Sequence, residues 1–92
     1  MFNIPETILS KFQAILTAID YDLFIEEVEI GKEFEYRVLY RTGYYSSETY
    51  ILVGKMCSKG VYNYRSEYKK TNLNARQIGA LQAFLGMLTV KG

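Results

Sequence analysis

The chain has 92 residues, of which 49% are hydrophobic and 23% charged, so it is long enough and apolar enough for one folded domain and is not a disordered chain. It contains no histidine and a single cysteine, which excludes histidine-based catalytic pairs, an internal disulfide and a cysteine-ligated zinc site. No phosphate-binding glycine loop is present either. We therefore expect a non-enzymatic domain without a cofactor or a metal.

The distribution of apolar residues also bears on location. No apolar run approaches the roughly 20 residues that a membrane span needs. The first residues, MFNIPETILSKF, lack the basic segment, the long apolar segment and the cleavage site of a secretory signal. We expect a cytoplasmic protein without membrane contact, in which residues 1–92 form a single domain.

The net charge of +1 hides a division between the two halves of the chain. Residues 1–35 hold two bases and eight acids, a net charge of −6, whereas residues 36–92 hold nine bases and two acids, a net charge of +7. Such asymmetry favours a surface that faces a polyanion. The alternative is that the two halves neutralise each other in the folded protein.

The first predicted element is a helix that ends near Asp20. Its apolar residues recur at helical spacing: Ile8, Phe12, Ile15 and Ile19, with Leu9 and Leu16 beside them. Asn3 is placed to cap the first turn, and Pro5 fits there because it needs no hydrogen-bond partner for its nitrogen.

The middle of the chain predicts antiparallel strands. Leu23–Ile30 and Phe34–Arg41 alternate in the period of two that strands show, and the Gly31-Lys32 turn between them predicts a hairpin. Glu48–Met56 is apolar on both faces, which indicates a central strand. Val61–Tyr68 alternates again, so we expect a sheet of three or four strands.

The last element is a second helix, with an apolar stripe of Ile78, Leu81, Leu85 and Leu88. Thr71 or Asn72 is expected to supply its N-cap. Two glycines inside it, Gly79 and Gly86, indicate close packing against the sheet. The predicted fold is α+β, in the order α-β-β-β-(β)-α, with both helices on one face of an antiparallel sheet of three to four strands.

Tyrosine is over-represented in the strands. Eight of the nine tyrosines lie between residues 36 and 68, with arginines and lysines interleaved. Aromatic rings beside cations are typical of protein interfaces and of surfaces that stack nucleobases, although tyrosine is also a strong strand former. The candidate interface residues are Tyr44, Tyr45, Tyr62, Tyr64 and Arg65.

Three cations surround the start of the last helix: Lys69, Lys70 and Arg76. The helix dipole disfavours cations at this end, but a bound phosphate would reverse that preference. The alternative is that Lys69 and Lys70 end a strand and are solvated.

The order of elements and several local patterns resemble the double-stranded RNA-binding domain. The family's first helix starts with P-x-x-x-L, which matches Pro5 to Leu9. Its strand-turn-strand pattern, Y-x-L…G…F-x-V-x-V, is matched by six residues of this chain: Tyr21, Leu23, Gly31, Phe34, Tyr36 and Val38. NLNARQIGALQAFLGML takes the place of the family's small-residue helix. The family's KKxAK motif is reduced here to Ala75 and Arg76, with Lys69 and Lys70 just upstream.

This resemblance implies a domain that recognises duplex RNA by shape, across minor grooves and the phosphates between them. The residues that it places on RNA are Thr7, Ser10, Lys11, Lys32, Lys69, Lys70, Asn72 and Arg76. The leading hypothesis is thus a nucleic-acid-binding domain that favours duplex RNA. The alternative is a protein-protein interaction module with a tyrosine-rich sheet surface: a homodimer, an adaptor, or a small inhibitor of the kind that viruses and mobile elements encode.

Overall fold

The structure is a computed structural model that describes residues 2–43 and 49–89. Four strands form one antiparallel sheet: β1 (Leu23–Ile30), β2 (Glu33–Thr42), β3 (Thr49–Cys57) and β4 (Gly60–Asn63). Their spatial order is the chain order, β1-β2-β3-β4, as expected for strands joined by short turns. Ile30 faces Glu33 across the first hairpin, and Gly31 takes the positive φ of 64° that this turn requires.

Helix α1 (Glu6–Ile19) begins and ends close to its predicted limits, but its N-cap prediction is wrong. Pro5 holds the N-cap position, and its carbonyl oxygen accepts from the N–H groups of Ile8 and Leu9, each at 3.0 Å. The Asn3 side chain instead accepts a hydrogen bond from the Tyr36 hydroxyl at 3.1 Å. Asn3 therefore fastens the segment before the helix to the sheet.

The fourth strand is shorter than predicted. The alternation of Val61–Tyr68 suggested one strand, yet β4 ends at Asn63 and a 3-10 helix, Arg65–Lys70, follows. The 3-10 helix directs the Tyr68 ring into the core, where its hydroxyl is hydrogen-bonded to the Asn63 side chain. Burying one large ring outweighs continuing a short edge strand.

Helix α2 (Ala75–Thr89) starts later than its predicted cap. Thr71 closes the 3-10 helix instead, since its hydroxyl donates to the Tyr68 carbonyl oxygen at 2.6 Å. The cap of α2 is a reciprocal pair at 2.9 Å: the Gln77 N–H donates to the Asn74 side chain, and the Asn74 N–H donates to the Gln77 side chain. The N-cap prediction of Thr71 or Asn72 is thus wrong.

Both helices pack on one face of the sheet, as predicted. The buried apolar residues come from both helices and from β1, β2 and β3, together with the segment before α2: Leu16, Leu23, Tyr36, Val38, Tyr40, Val53, Met56, Tyr68, Leu73, Leu81, Phe84 and Leu85. Gln77 also joins the helices, because its side-chain amide donates to the Ile19 carbonyl oxygen at 3.0 Å and to Asp20 at 3.2 Å. The fold is therefore α+β in two layers.

The close approach of helix and sheet occurs at a glycine of β3. A register shift between β2 and β3 places Val53 and Gly54 next to each other on the helix side. A methyl group at Gly54 would lie only 2.8 Å from the Leu85 side chain. Gly79 and Gly86 have no such neighbour within 4 Å of an added methyl group, so the prediction that they pack closely on the sheet is wrong.

Candidate functional site

The side of the sheet opposite the helices is called the open face, because neither α1 nor α2 covers it. Its residues alternate along each strand with the buried residues of the core. Two aromatic groups and a row of charges between them occupy this face. Tyr50 and Tyr62 are exposed on this face, and Arg37 and Arg41 are half-buried on it.

The first aromatic group is the Phe24 cluster, which consists of Phe24, Leu39, Tyr50 and Leu52. Phe24 faces Leu39 across β1 and β2, and Leu39 in turn faces Leu52 of β3. Tyr50 meets the Phe24 ring edge-on at 5.6 Å, and the Arg41 guanidinium lies 5.3 Å from the same ring. Tyr50 remains 52% exposed, so the cluster presents aromatic surface to solvent.

The charged row joins β2 to β3 through one carboxylate. Glu35 accepts from Arg37 at 2.7 Å and from Lys55 at 3.4 Å, and its side chain is largely buried between them. The hydrogen bond from Arg37, opposed by partial burial and supported by Lys55, holds the pKa of the Glu35 carboxyl below its ordinary value of 4.5. Glu35 therefore forms ion pairs with two neighbouring cations of the open face.

The second aromatic group borders a shallow basin of about 500 Å³ at the β4 edge. The Tyr62 and Tyr64 rings are nearly parallel, with centroids 6.5 Å apart and planes at 8°. The Lys55 ammonium lies 5.4 Å from the Tyr62 ring. We call this the tyrosine basin, and its polar and aromatic lining is Glu33, Phe34, Glu35, Lys55, Cys57, Ser58, Lys59, Tyr62 and Tyr64.

The structure brings together only part of the predicted interface. Tyr62 and Tyr64 share the tyrosine basin, and Arg65 is exposed just beyond them at the start of the 3-10 helix. Tyr44 and Tyr45 lie outside the described residues. Sequence reasoning missed the Phe24 cluster, although one signal was present: Leu39 stands at an outward position between Arg37 and Arg41. An apolar residue in that phase indicates a contact surface.

The cations that the RNA-binding hypothesis requires are spread along the molecule. Lys69, Lys70 and Arg76 lie near the start of α2, where the Asn72 N–H donates to the Tyr40 hydroxyl at 3.3 Å. Tyr40 is paired with the first residue of β1, whereas Lys32 lies in the turn after its last residue. At about 3.3 Å per residue, Lys32 is thus about 25 Å from the start of α2 along the sheet.

The predicted RNA-binding residues of α1 are exposed but are also distant from the start of α2. Gln77 fixes the end of α1 there, and Lys11 lies eight residues earlier, about 12 Å along the helix axis. Ser10 lines a cleft with two carboxylates, Glu6 and Glu27, and Thr7 lies on the exposed first turns of α1. The Lys70 ammonium is paired with Glu67 at 3.0 Å.

Comparisons with known proteins give no family: no family model matches the chain, and neither a curated protein nor a solved structure matches it. Among the described residues, no three His, Cys, Asp or Glu side chains lie close enough together to hold a metal ion. Neither described helix has the length and apolar character to cross a membrane. The surface geometry is therefore the basis for a functional proposal.

Proposed function

We propose that the chain is a non-catalytic protein-binding module and that the open face is its binding surface. The observation that carries the proposal is the pairing of Arg37, Arg41 and Lys55, the cations between the two aromatic groups, with carboxylates. Glu35 binds both Arg37 and Lys55, and the Arg41 guanidinium lies 4.0 Å from Asp22. A phosphate backbone gains most from unpaired cations, so cations that carboxylates already engage favour a protein partner.

The exposed side chains of the open face are those that protein interfaces use as anchors. Tyr50 and Tyr62 are 52% and 38% exposed, and each is held by a ring or a cation that limits its rotamers. An ordered tyrosine buries a large area at a low cost in entropy. The paired charges between the two aromatic groups offer hydrogen bonds without an unpaired charge to bury.

The proposal is tested by capture of partner proteins from a lysate of the source cells with the immobilised full chain. Tyr62→Ser and Tyr50→Ser should each reduce the amount of captured partner by about tenfold or more, as hot-spot tyrosines do. Tyr21→Ser is the matched control, because Tyr21 is 84% exposed and lies in the turn before β1 rather than on the open face. Capture that is insensitive to Tyr50 and Tyr62, or equally sensitive to Tyr21, contradicts the proposal.

Duplex RNA remains a second candidate, supported by one feature of the start of α2. Lys69 and Arg76 are exposed there, and no carboxylate of the described residues lies within 4 Å of their charged groups. If they bind phosphates, an electrophoretic shift should appear at ~10 µM protein in ~50 mM salt and weaken steeply in ~200 mM salt. Lys69→Glu should abolish the shift, whereas the absence of any shift for the unmodified chain removes this candidate.

A further inference from the structure

A second apolar surface lies on the opposite side of the molecule, in the groove between α1 and α2. The groove has a volume of about 460 Å³ and is lined mainly by Ile15, Ala18, Ala83, Phe84 and Met87. Ile15 is 42% exposed and Met87 is 71% exposed, although neither takes part in the open face. Exposed apolar side chains on a continuous groove are typical of an interface.

We propose that this groove is occupied by a second copy of the chain, with the two α2 helices antiparallel about a two-fold axis near Ala83. Such an interface is self-complementary, since every contact between two residues occurs twice, once on each side of the axis. Met87 of each copy would then fill the groove of the other, and its flexible side chain suits an irregular apolar space.

The charge of α2 supports this occupant. Arg76 is the only charged residue in α2, it lies in the first turn, and the last turn contains no base. A cation at this end is unfavourable for its own helix dipole but favourable beside the C-terminal end of another helix. Because Ala83 lies about halfway along α2, an antiparallel pairing places each Arg76 beside the last turn of the partner helix.

The remainder of the α2 surface also accepts an identical copy. Its exposed positions are small, at Gly79, Ala80 and Ala83, so two helices can approach closely without repulsion between like charges. The helix has 15 residues. It is therefore about 22 Å long, and a groove face about 20 Å wide would bury roughly 400 Å² per copy, less than a standard stable interface. We therefore expect a reversible dimer with a dissociation constant in the micromolar range.

Sedimentation equilibrium of the full chain from about 5 to about 500 µM tests the proposal over the range where such a dimer forms. Ala83→Glu places two carboxylates beside the two-fold axis and should weaken dimerisation by at least about tenfold. Ser10→Glu is the matched control, because it makes the same charge change at an exposed α1 position that borders the cleft beside β1. It should leave the dissociation constant unchanged.

Two further variants keep the test decisive if Ala83→Glu unfolds the chain. Met87→Lys should weaken the dimer in the same way. A carboxylate in the first turn interacts favourably with the dipole of its own helix, so Arg76→Glu should raise the melting temperature of the dilute monomer. The same substitution should weaken the dimer, because the carboxylate would lie beside the C-terminal end of the partner helix.

A chain that stays monomeric at the highest concentration overturns the proposal, as does a dimer that is insensitive to Ala83→Glu and Met87→Lys. The first result would leave the groove without this occupant, and the second would assign the dimer to another face. These results are independent of partner capture through the open face, which Tyr62→Ser tests without changing the groove.

Discussion

Replacement of Gly54 by alanine is the sharpest test of how the helical layer meets the sheet. The added methyl group would lie 2.8 Å from the Leu85 Cδ1 atom and 3.0 Å from the Tyr62 carbonyl oxygen. Neither neighbour can yield cheaply, because Leu85 is fully buried and the Tyr62 oxygen belongs to the backbone. The substitution therefore forces α2 or β4 to move.

The net effect is the balance of two contributions. Overpacking of a dense core destabilises the folded state by about 1–3 kcal/mol. Replacing glycine by alanine reduces the conformational entropy of the unfolded chain, which stabilises the folded state by about 0.4–1 kcal/mol. We expect Gly54→Ala to lower the free energy of unfolding by about 1–2 kcal/mol net. For a domain of this size that corresponds to a melting temperature lower by about 4–15 °C.

Gly79→Ala is the matched control, since it makes the same chemical change where the added methyl group has nothing within 4 Å. Gly79 is exposed inside α2, where alanine is preferred to glycine by about 1 kcal/mol. This variant should melt about 4–8 °C higher than the unmodified chain. Thermal unfolding followed by far-UV circular dichroism measures both changes, and a Gly54→Ala variant as stable as the unmodified chain refutes the close approach.

Three other predictions concern the edge of the sheet, the contact between the helices and the effect of high pH. Gln13 holds the free edge of β1 with hydrogen bonds of 2.9 and 3.2 Å, so Gln13→Ala should lower the free energy of unfolding by about 1–2 kcal/mol in urea titrations and speed amide exchange in β1. Gln77→Ala should cost more stability than Asn74→Ala in the same titrations, because Gln77 also binds the end of α1; equal losses would count against the link between the helices. Burial chiefly raises the pKa of three core tyrosines above 10.0, so their contribution to stability is complete below pH 10 and is lost as the pH rises; phenolate absorbance of these three should therefore appear together with unfolding. Those tyrosines are Tyr36, Tyr40 and Tyr68.

The sequence predicts the three long strands well because alternation, in β1 and β2, and an apolar run, in β3, are local properties. Phe34–Arg41 was expected and β2 spans Glu33–Thr42, a difference of one residue at each end. The burial of Tyr68 could not be predicted in this way. Its ring can either extend the edge strand or enter the core, and the core is built from segments that are distant in sequence. The cap of α2 was missed for a related reason: several polar residues before the helix suit an N-cap, and the choice of Asn74 depends on where Gln77 meets α1.

The charge division between the halves of the chain did not predict where cations remain unpaired. Alternation places Glu35 and Arg37 on the same side of β2, but only the pairing of β2 with β3 brings Lys55 beside them. The ion pairs of Arg41 with Asp22 and of Lys55 with Glu35 each join a base of the second half to an acid of the first. On the open face, acids of the first half thus form ion pairs with bases of the second half.

The two proposed surfaces together predict a bivalent module. The groove lies on the helical side of the sheet and the open face on the other, so a dimer formed through α2 leaves both open faces outward. Two linked sites raise the apparent affinity for a densely immobilised partner by about 10²-fold or more but hardly change the affinity for a single partner in solution. Ala83→Glu should therefore weaken binding to a dense partner surface and leave solution titrations unchanged, whereas Tyr62→Ser should weaken both. Equal losses in the two formats for Ala83→Glu would mean that α2 itself contacts the partner.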